Sequence, residues 1–281
     1  MSYSPQVPLS GIAGWRLLQR TQASQQAAFD QSAQIKADTA YFEKNIGSVE
    51  TAADLMADRR LLKVALGAFG LDEWIDRKAF IRKVLEEGTT DPKSLASRLS
   101  EPNFKKLSAA FGFGDAKGAQ TAAEGFAAEI TGAYRTRAFE AAVGDTDENM
   151  RLALNFKREI AGLAGAEGEN GGSWYSIIGS KTLGQVVQQA FGLPTKSFGT
   201  LDVDRQRDIL MKKCDAMFGS SDLSVFQDPA NVSKLIDRFL ARSQLENGPT
   251  STAGGSPALS LLQSGGSSGS QGILNLLMSL R

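Results

Sequence analysis

The chain has 281 residues, 42% of them hydrophobic, enough to bury a real core in one large domain or two ordinary ones. Its 31 basic and 31 acidic residues cancel, leaving no electrostatic footprint for nucleic acid or for an anionic membrane surface. Histidine is absent, which removes the His-based triad, the His-containing zinc site and the HExxH protease, and the single cysteine, Cys214, allows neither an intramolecular disulfide nor a thiolate metal cluster.

The amino-terminal "MSYSPQVPLSGIAGWRLLQR" has no basic residue ahead of its first apolar ones and no long apolar run, so a cleaved secretory signal is not expected. Nowhere do apolar residues continue far enough to predict a helix inserted across a membrane. The first predicted helix runs from Ser10 to Ile46. Its middle is rich in Gln, Ala and Ser, with Phe29 and Ile35 as its only large apolar residues. Such a helix is too sparsely apolar for a core, so residues 1–46 are expected to form a segment that lies across the body or awaits a partner. Core packing is the default for Trp15, with partner binding from this sparse helix as its alternative.

From 47 to 246 the apolar positions recur at helical spacing, and an all-α, multi-helical body with degenerate internal repeats is predicted. Leu62, Ala65, Leu66 and Phe69 fall at i, i+3, i+4 and i+7; Leu183, Val186, Val187, Ala190 and Phe191 repeat that stripe. Three segments end alike, in "VALGAFGL", "LSAAFGFG" and "VVQQAFGL". Phe69, Phe111 or Phe191 is then the last core anchor, and Gly70, Gly112 or Gly192 the left-handed residue that stops the helix. "RAFEAAVGD" gives a weaker fourth end at Val143 and Gly144. Uneven spacing argues against a strict solenoid and for a duplicated array of helical pairs. "TTDPKSLASRL" and "FQDPANVSKLIDRFLARSQ" each carry a helix-start signal, with Asp91 or Asp228 as cap and Pro92 or Pro229 at the first helical position.

No motif supplies a catalytic, metal or cofactor site. "GDTDENMRLALNF" spaces Asp145, Asp147 and Asn149 as a calcium loop does, but Met150 stands where the glycine belongs and Phe156 where the bidentate glutamate belongs; it reads as an acidic helix start. "IIGSKT" and "FGFGDAKG" both miss the phosphate-loop and dinucleotide spacings. "LDVDRQRD" gathers Asp202, Asp204 and Asp208 with Arg205 and Arg207, which on a helix are neighbouring ion pairs on a solvated face. Cys214 reads as a small buried hydrophobe, and Trp74 and Trp174 as core residues.

After Glu246 the composition changes: residues 247–281 are a Gly/Ser-rich linker with two apolar islands and one charge, Arg281. In the last island Ile273, Leu274, Leu277 and Leu280 make a helical stripe, flanked by Leu276 and Met278, which predicts a segment that lays one face in a groove of a protein partner. The linker supplies reach and the apolar end contact.

The motifs "YFEKNI", "DLMADRRLLKVALGAFGL", "TDPKSLASRL", "FKKLSAAFGFG", "RTRAFEAAVGDTDENMRLALNFKREI", "WYSIIGSKTLGQVVQQAFGLP" and "LDVDRQRDILMKKC", in that order, together resemble a bacterial family of unknown function. Its genes often sit among flagellar genes in alphaproteobacteria, and some members carry the name flagellar basal-body rod protein. The resemblance spans Tyr41 to Leu245. It implies an all-helical, duplicated domain, a link to motility and a place in the flagellum or basal body; it implies no catalytic residue and no cofactor. "ILNLLMSLR" looks like the apolar carboxyl end of flagellins, though here a glycine and serine spacer precedes it. The expected function is therefore that of a non-catalytic flagellar structural or accessory protein. The alternatives are a cytoplasmic helical adaptor or export chaperone and, third, a histidine-free enzyme using carboxylates or Lys and Ser side chains.

Overall fold

The computed structural model describes residues 3–165 and 173–246, and all regular structure among them is helical, without a strand. The predicted docking residues Ile273, Leu274, Leu276, Leu277, Met278 and Leu280, the linker before them and most of the glycine-rich stretch ahead of Trp174 lie outside the described residues. Contacts divide the chain into two units, Met1–Ser243, which contains the buried core, and Gln244–Arg281, of which residues 244–246 are described as the end of a helix.

Helices α1 (Gly11–Asp30) and α2 (Ala33–Asn45) lead through α3 (Ala52–Ala57) into α4 (Arg59–Phe69). Then come α5 (Lys78–Glu87), α6 (Leu95–Arg98) and α7 (Pro102–Phe111), and the long α8 (Phe126–Gly144) and α9 (Glu148–Ala164). The chain continues through α10 (Trp174–Gly179), α11 (Lys181–Phe191), α12 (Thr195–Phe198), α13 (Val203–Phe218) and α14 (Pro229–Glu246). The spine is α4 against α8, α8 against α9, and α9 against α11; α7 packs beside α4 with α5 and α6 against α7, and α10 and α13 pack beside α11. Phe111, Phe139 and Phe156 are fully buried along it, each worth about 1.5–3 kcal/mol of transfer free energy.

The predicted helix ends are found where the glycines put them. Gly70, Gly112 and Gly192 all have φ near 70° and close α4, α7 and α11 in the left-handed conformation. The α4 and α11 ends share one hydrogen-bond pattern: Leu71 N–H donates to the Leu66 carbonyl and Leu193 N–H to the Gln188 carbonyl, both at 2.9 Å. A further end of this kind is Phe218 and Gly219, which with φ 80° at the glycine close α13. The end at Val143 and Gly144 differs, because Gly144 is itself helical and Asp145 caps α8 in a right-handed conformation.

Of the two Asp-Pro signals, one holds. Asp228 Oδ1 accepts the Ala230 N–H at 2.8 Å and Pro229 opens α14. Asp91 instead accepts from Lys93 N–H inside a turn, and the helix begins later, at Leu95, whose N–H donates to Glu87 Oε2 at 2.5 Å. A carboxylate on the neighbouring helix thus takes a free amide at the actual helix start, while Asp91 serves only the turn before it.

The amino-terminal prediction needs the larger correction. The expected single helix from Ser10 to Ile46 is broken at Gln31 and Ser32, Ser32 having extended backbone (φ −61°, ψ 143°). The described residues 3–46 belong to the same compact unit as the body, with α2 packed on α4 and α8 and α1 on α8 and α9. Trp15 is 1% exposed and part of the core, so it is not a surface docking residue. Its partners are supplied by the fold itself, because the break re-aims the chain and lets Trp15, Leu18, Phe29, Ile35 and Phe42 all reach the interior.

Candidate functional site

Charged side chains converge where α7, α8 and α9 meet. Glu159 on α9 accepts from Lys106 Nζ at 2.7 Å, from Arg137 Nη2 at 2.6 Å and from its neighbour Arg158. Arg158 in turn holds both oxygens of Glu140 on α8, at 2.7 and 2.9 Å. The sequence builds this locally through helical spacing: Arg137 and Glu140 share a face of α8, and Asn155, Arg158 and Glu159 share one of α9. Burial opposes the Glu159 carboxylate, but Arg137, the Lys106 hydrogen bond and Arg158 outweigh it and hold its pKa down to about 2. Burial, with Arg158 beside it, presses Arg137 below the usual arginine range, which only its carboxylate partners offset. No spacing motif marked these residues; on the page they are charges scattered through apolar helices, and their meeting depends on how α8 crosses α9.

Two cavities flank the ion-pair lattice. One, of about 340 Å³, lies among Asp72, Glu73, Glu101, Arg137, Arg151 and Lys181. The other, of about 500 Å³, has an apolar floor of Pro102, Ala109, Leu163 and Leu183 with Lys105 and three hydroxyls at its edge. Asn103, Asn155 and Thr182 line both. Asn155 Oδ1 is buried and accepts no hydrogen bond, which leaves a polar atom with its desolvation uncompensated. Partial burial pushes the Asp72 carboxyl above its ordinary range against the pull of Arg137 and Lys63, and pushes Glu101 up likewise.

The residues singled out from sequence are dispersed. Asp147 caps α9 by accepting from Asn149 and Met150 N–H at 2.9 and 3.3 Å, as an acidic helix start does. Ser180 of "IIGSKT" caps α11, accepting from Leu183 N–H at 3.4 Å. In "LDVDRQRD", Asp202 caps α13, and Arg207 pairs with Asp208 at 2.7 Å and with Asp204, beside the exposed Tyr175 hydroxyl. Cys214 is fully buried, and burial pushes its thiol up to about 12, so it is held as an unreactive hydrophobe. Trp174 is buried with its indole N–H donating to the Ser221 carbonyl at 2.8 Å, and Trp74 stacks on Phe80 with ring centres 5.0 Å apart. Among the described residues no group of three or more Cys, Asp or Glu is placed to hold a metal ion, and no helix is long and apolar enough to cross a membrane.

A family profile described as a protein of unknown function (DUF1217) matches residues 68–232. No curated protein sequence matches the chain. The fold is similar to the crystal structure of protein AGR_C_984 from Agrobacterium tumefaciens, with a TM-score of 0.71 and 29% identity over 87% of this chain and 99% of that one.

Proposed function

The chain belongs to the DUF1217 family of proteins of unknown function, and from that premise we propose that it is a flagellum-associated structural or accessory protein that works through contacts with other proteins and catalyses no reaction. The observation that carries the non-catalytic half is that the charges where α7, α8 and α9 meet are paired with one another and the thiol is buried. Arg137, Arg158 and Lys106 are neutralised on Glu159 and Glu140, the only thiol is buried and pushed up to about 12, and the Tyr134 phenol is raised by burial and by Asp38. Groups so held tie helices together; a catalyst needs them free and poised near neutrality. The flagellar half is supported by the motif order from Tyr41 to Leu245 and its resemblance to a family encoded among flagellar genes.

Fractionation of motile cells tests the reading. The chain is expected with intact basal bodies or in the culture supernatant. Recovery in the cytosol alone overturns the flagellar assignment in favour of a cytoplasmic adaptor or export chaperone, a second reading that the apolar-floored cavity of about 500 Å³ supports. Removing the residues after Glu246 separates the two: a chaperone keeps its client, whereas a component that docks through Ile273, Leu274, Leu276, Leu277, Met278 and Leu280 loses its place.

A further inference from the structure

We propose that residues 3–9 form an exchangeable arm, and that the seat for it beside Gln25 on α1 takes the same arm from a second copy of the chain. The arm has no regular structure of its own, and Gln25 reads its main chain. Gln25 Oε1 accepts the Gln6 N–H at 2.7 Å, and Gln25 Nε2 donates to the Gln6 carbonyl at 3.2 Å. Both main-chain groups of one residue are thus taken, as a neighbouring strand takes them. The Gln6 side chain turns away and donates to the Ser4 carbonyl at 3.0 Å, so this contact does not select for it. Gln25 is 8% exposed, donates also to the Thr21 hydroxyl at 2.8 Å and accepts from the Tyr3 hydroxyl at 3.4 Å. Pro5 is buried, and Tyr3 and Val7 pack on the core.

Two features make the arm exchangeable. No residue from Tyr3 to Trp15 is charged, so no ion pair ties the arm to its own copy, and all that holds it is supplied identically by the arm of another. The joint is the second feature. Gly11 has φ 62°, a left-handed conformation that costs glycine nothing, and Ser10 stands at the cap position of α1 without a side-chain bond. Rotation at these two residues redirects the arm without breaking a side-chain cap. A foreign peptide has to match the places of Tyr3, Pro5 and Val7; a second copy brings the matching set and vacates its own seat in return. The short tether gives each arm an effective concentration of about 1 mM on its own copy. Isolated copies therefore keep their arms, and exchange sets in where copies are crowded to that level, as in an assembly. The inference goes beyond the contact-protein reading and does not depend on where the chain resides.

The test uses the full chain. Ser4→Cys, on an exposed position of the arm, carries a nitroxide, which the buried Cys214 does not take up. This copy is mixed with isotopically labelled native chain at about 1 mM, where own and foreign arms compete evenly. Amide NMR of the labelled copy is expected to show broadening at Thr21 and Gln25 that grows with concentration. Gln25→Ala in the labelled copy reduces it at least about fivefold, because the nitroxide arm then leaves a native seat for one lacking both main-chain bonds. Val7→Ser in the labelled copy weakens that copy's own arm and raises the broadening about threefold, a gain that damage to the fold does not give. A capped peptide of residues 3–10 competes, its Gln6→Ala version competes equally, and a version N-methylated at the residue 6 amide competes at least about fivefold less well.

Absence of broadening at Thr21 and Gln25 at about 1 mM overturns the exchange. So does broadening that Gln25→Ala leaves unchanged, which puts the contact between copies on another face. Equal competition by the N-methylated peptide overturns the main-chain reading. Hexaproline displacing the arm better than the arm's own peptide overturns the second copy as occupant and assigns the seat to a proline-rich partner.

Discussion

Helices α2 and α4 pack against the same neighbour, α8, and bring very different surfaces to it. From α4 come Leu61, Leu62, Val64, Ala65, Leu66 and Ala68, an apolar face that period alone reveals. From α2 come Ile35 and Phe42 with two polar residues between them, Asp38 and Thr39, all buried. Asp38 is tolerable there because it accepts from Lys63 Nζ at 2.7 Å, from Gln34 at 2.9 Å and from the Tyr134 hydroxyl at 3.1 Å, and Thr39 returns its hydroxyl to the Ile35 carbonyl at 2.9 Å. An apolar stripe is thus sufficient for burial and not necessary. A helix with few apolar residues can enter a core when its polar ones arrive already paired.

The hardest test of this equivalence is truncation of the fully buried Phe42. Phe42→Ala is expected to cost about 3–5 kcal/mol, as much as or more than Leu62→Ala on α4 at about 2–5 kcal/mol. Urea unfolding midpoints of the two variants make the comparison directly. A Phe42→Ala loss below about 1 kcal/mol would mean that α2 lies on the body and does not belong to it.

Next in size is Glu159, the carboxylate whose cations bridge α7, α8 and α9. Its folded pKa of about 2 lies below the ordinary 4.5, so the stabilisation is fully present above about pH 4.5 and is lost as pH falls through 2. The gap corresponds to about 3 kcal/mol. Glu159→Gln is expected to lose that amount at neutral pH and to flatten the acid limb of the stability curve, both readable by denaturation between pH 7 and pH 2. Asp38→Asn belongs to the same class with a smaller effect, about 2 kcal/mol, because its main cation, Lys63, is 42% exposed and turns to water when the charge is removed. Burial works against the Asp38 charge, and Gln34, Lys63 and Tyr134 outweigh it to lower the pKa. Its contribution therefore also fades as pH drops below the ordinary aspartate range, and the two carboxylates together set acid sensitivity.

What was legible follows the same division. The stripes of α4 and α11, the Phe-Gly ends, the Asp228 cap and the burial of Cys214 are local rules written within a few residues, and they hold. The break at Ser32, the interior place of Trp15 and the lattice around Glu159 are not local. They depend on contacts between separate elements, as Asp38 on α2 depends on Lys63 and Tyr134, and Glu159 on Arg137. A polar residue destined for burial has the same spelling as one destined for water. The cavities beside Asn155 belong to this second class, since their walls come from the turn after α4, from α7, α8, α9 and α10, and from the start of α11.

The smallest effects sharpen the comparison most, because they isolate one variable. Gly70, Gly192 and Gly219 all sit at left-handed helix ends with φ of 70°, 70° and 80°. Alanine at any of them carries a backbone cost of about 1 kcal/mol. The surroundings differ. A Cβ at Gly219 meets nothing, one at Gly192 lies 2.5 Å from Arg242 Nη1, and one at Gly70 lies 2.9 Å from Arg137 Nη1. Arg242 forms no ion pair among the described residues and is free to swing aside, whereas Arg137 is locked on Glu159. Gly219→Ala and Gly192→Ala should therefore lower stability alike, by about 1 kcal/mol, and Gly70→Ala by about 2 kcal/mol. The order in thermal melting should be Gly70 well below the other two, and in the Glu159→Gln background, with the arginine released, the gap should close. Three equal losses in the native background would show that Arg137 yields under strain and is not locked on Glu159.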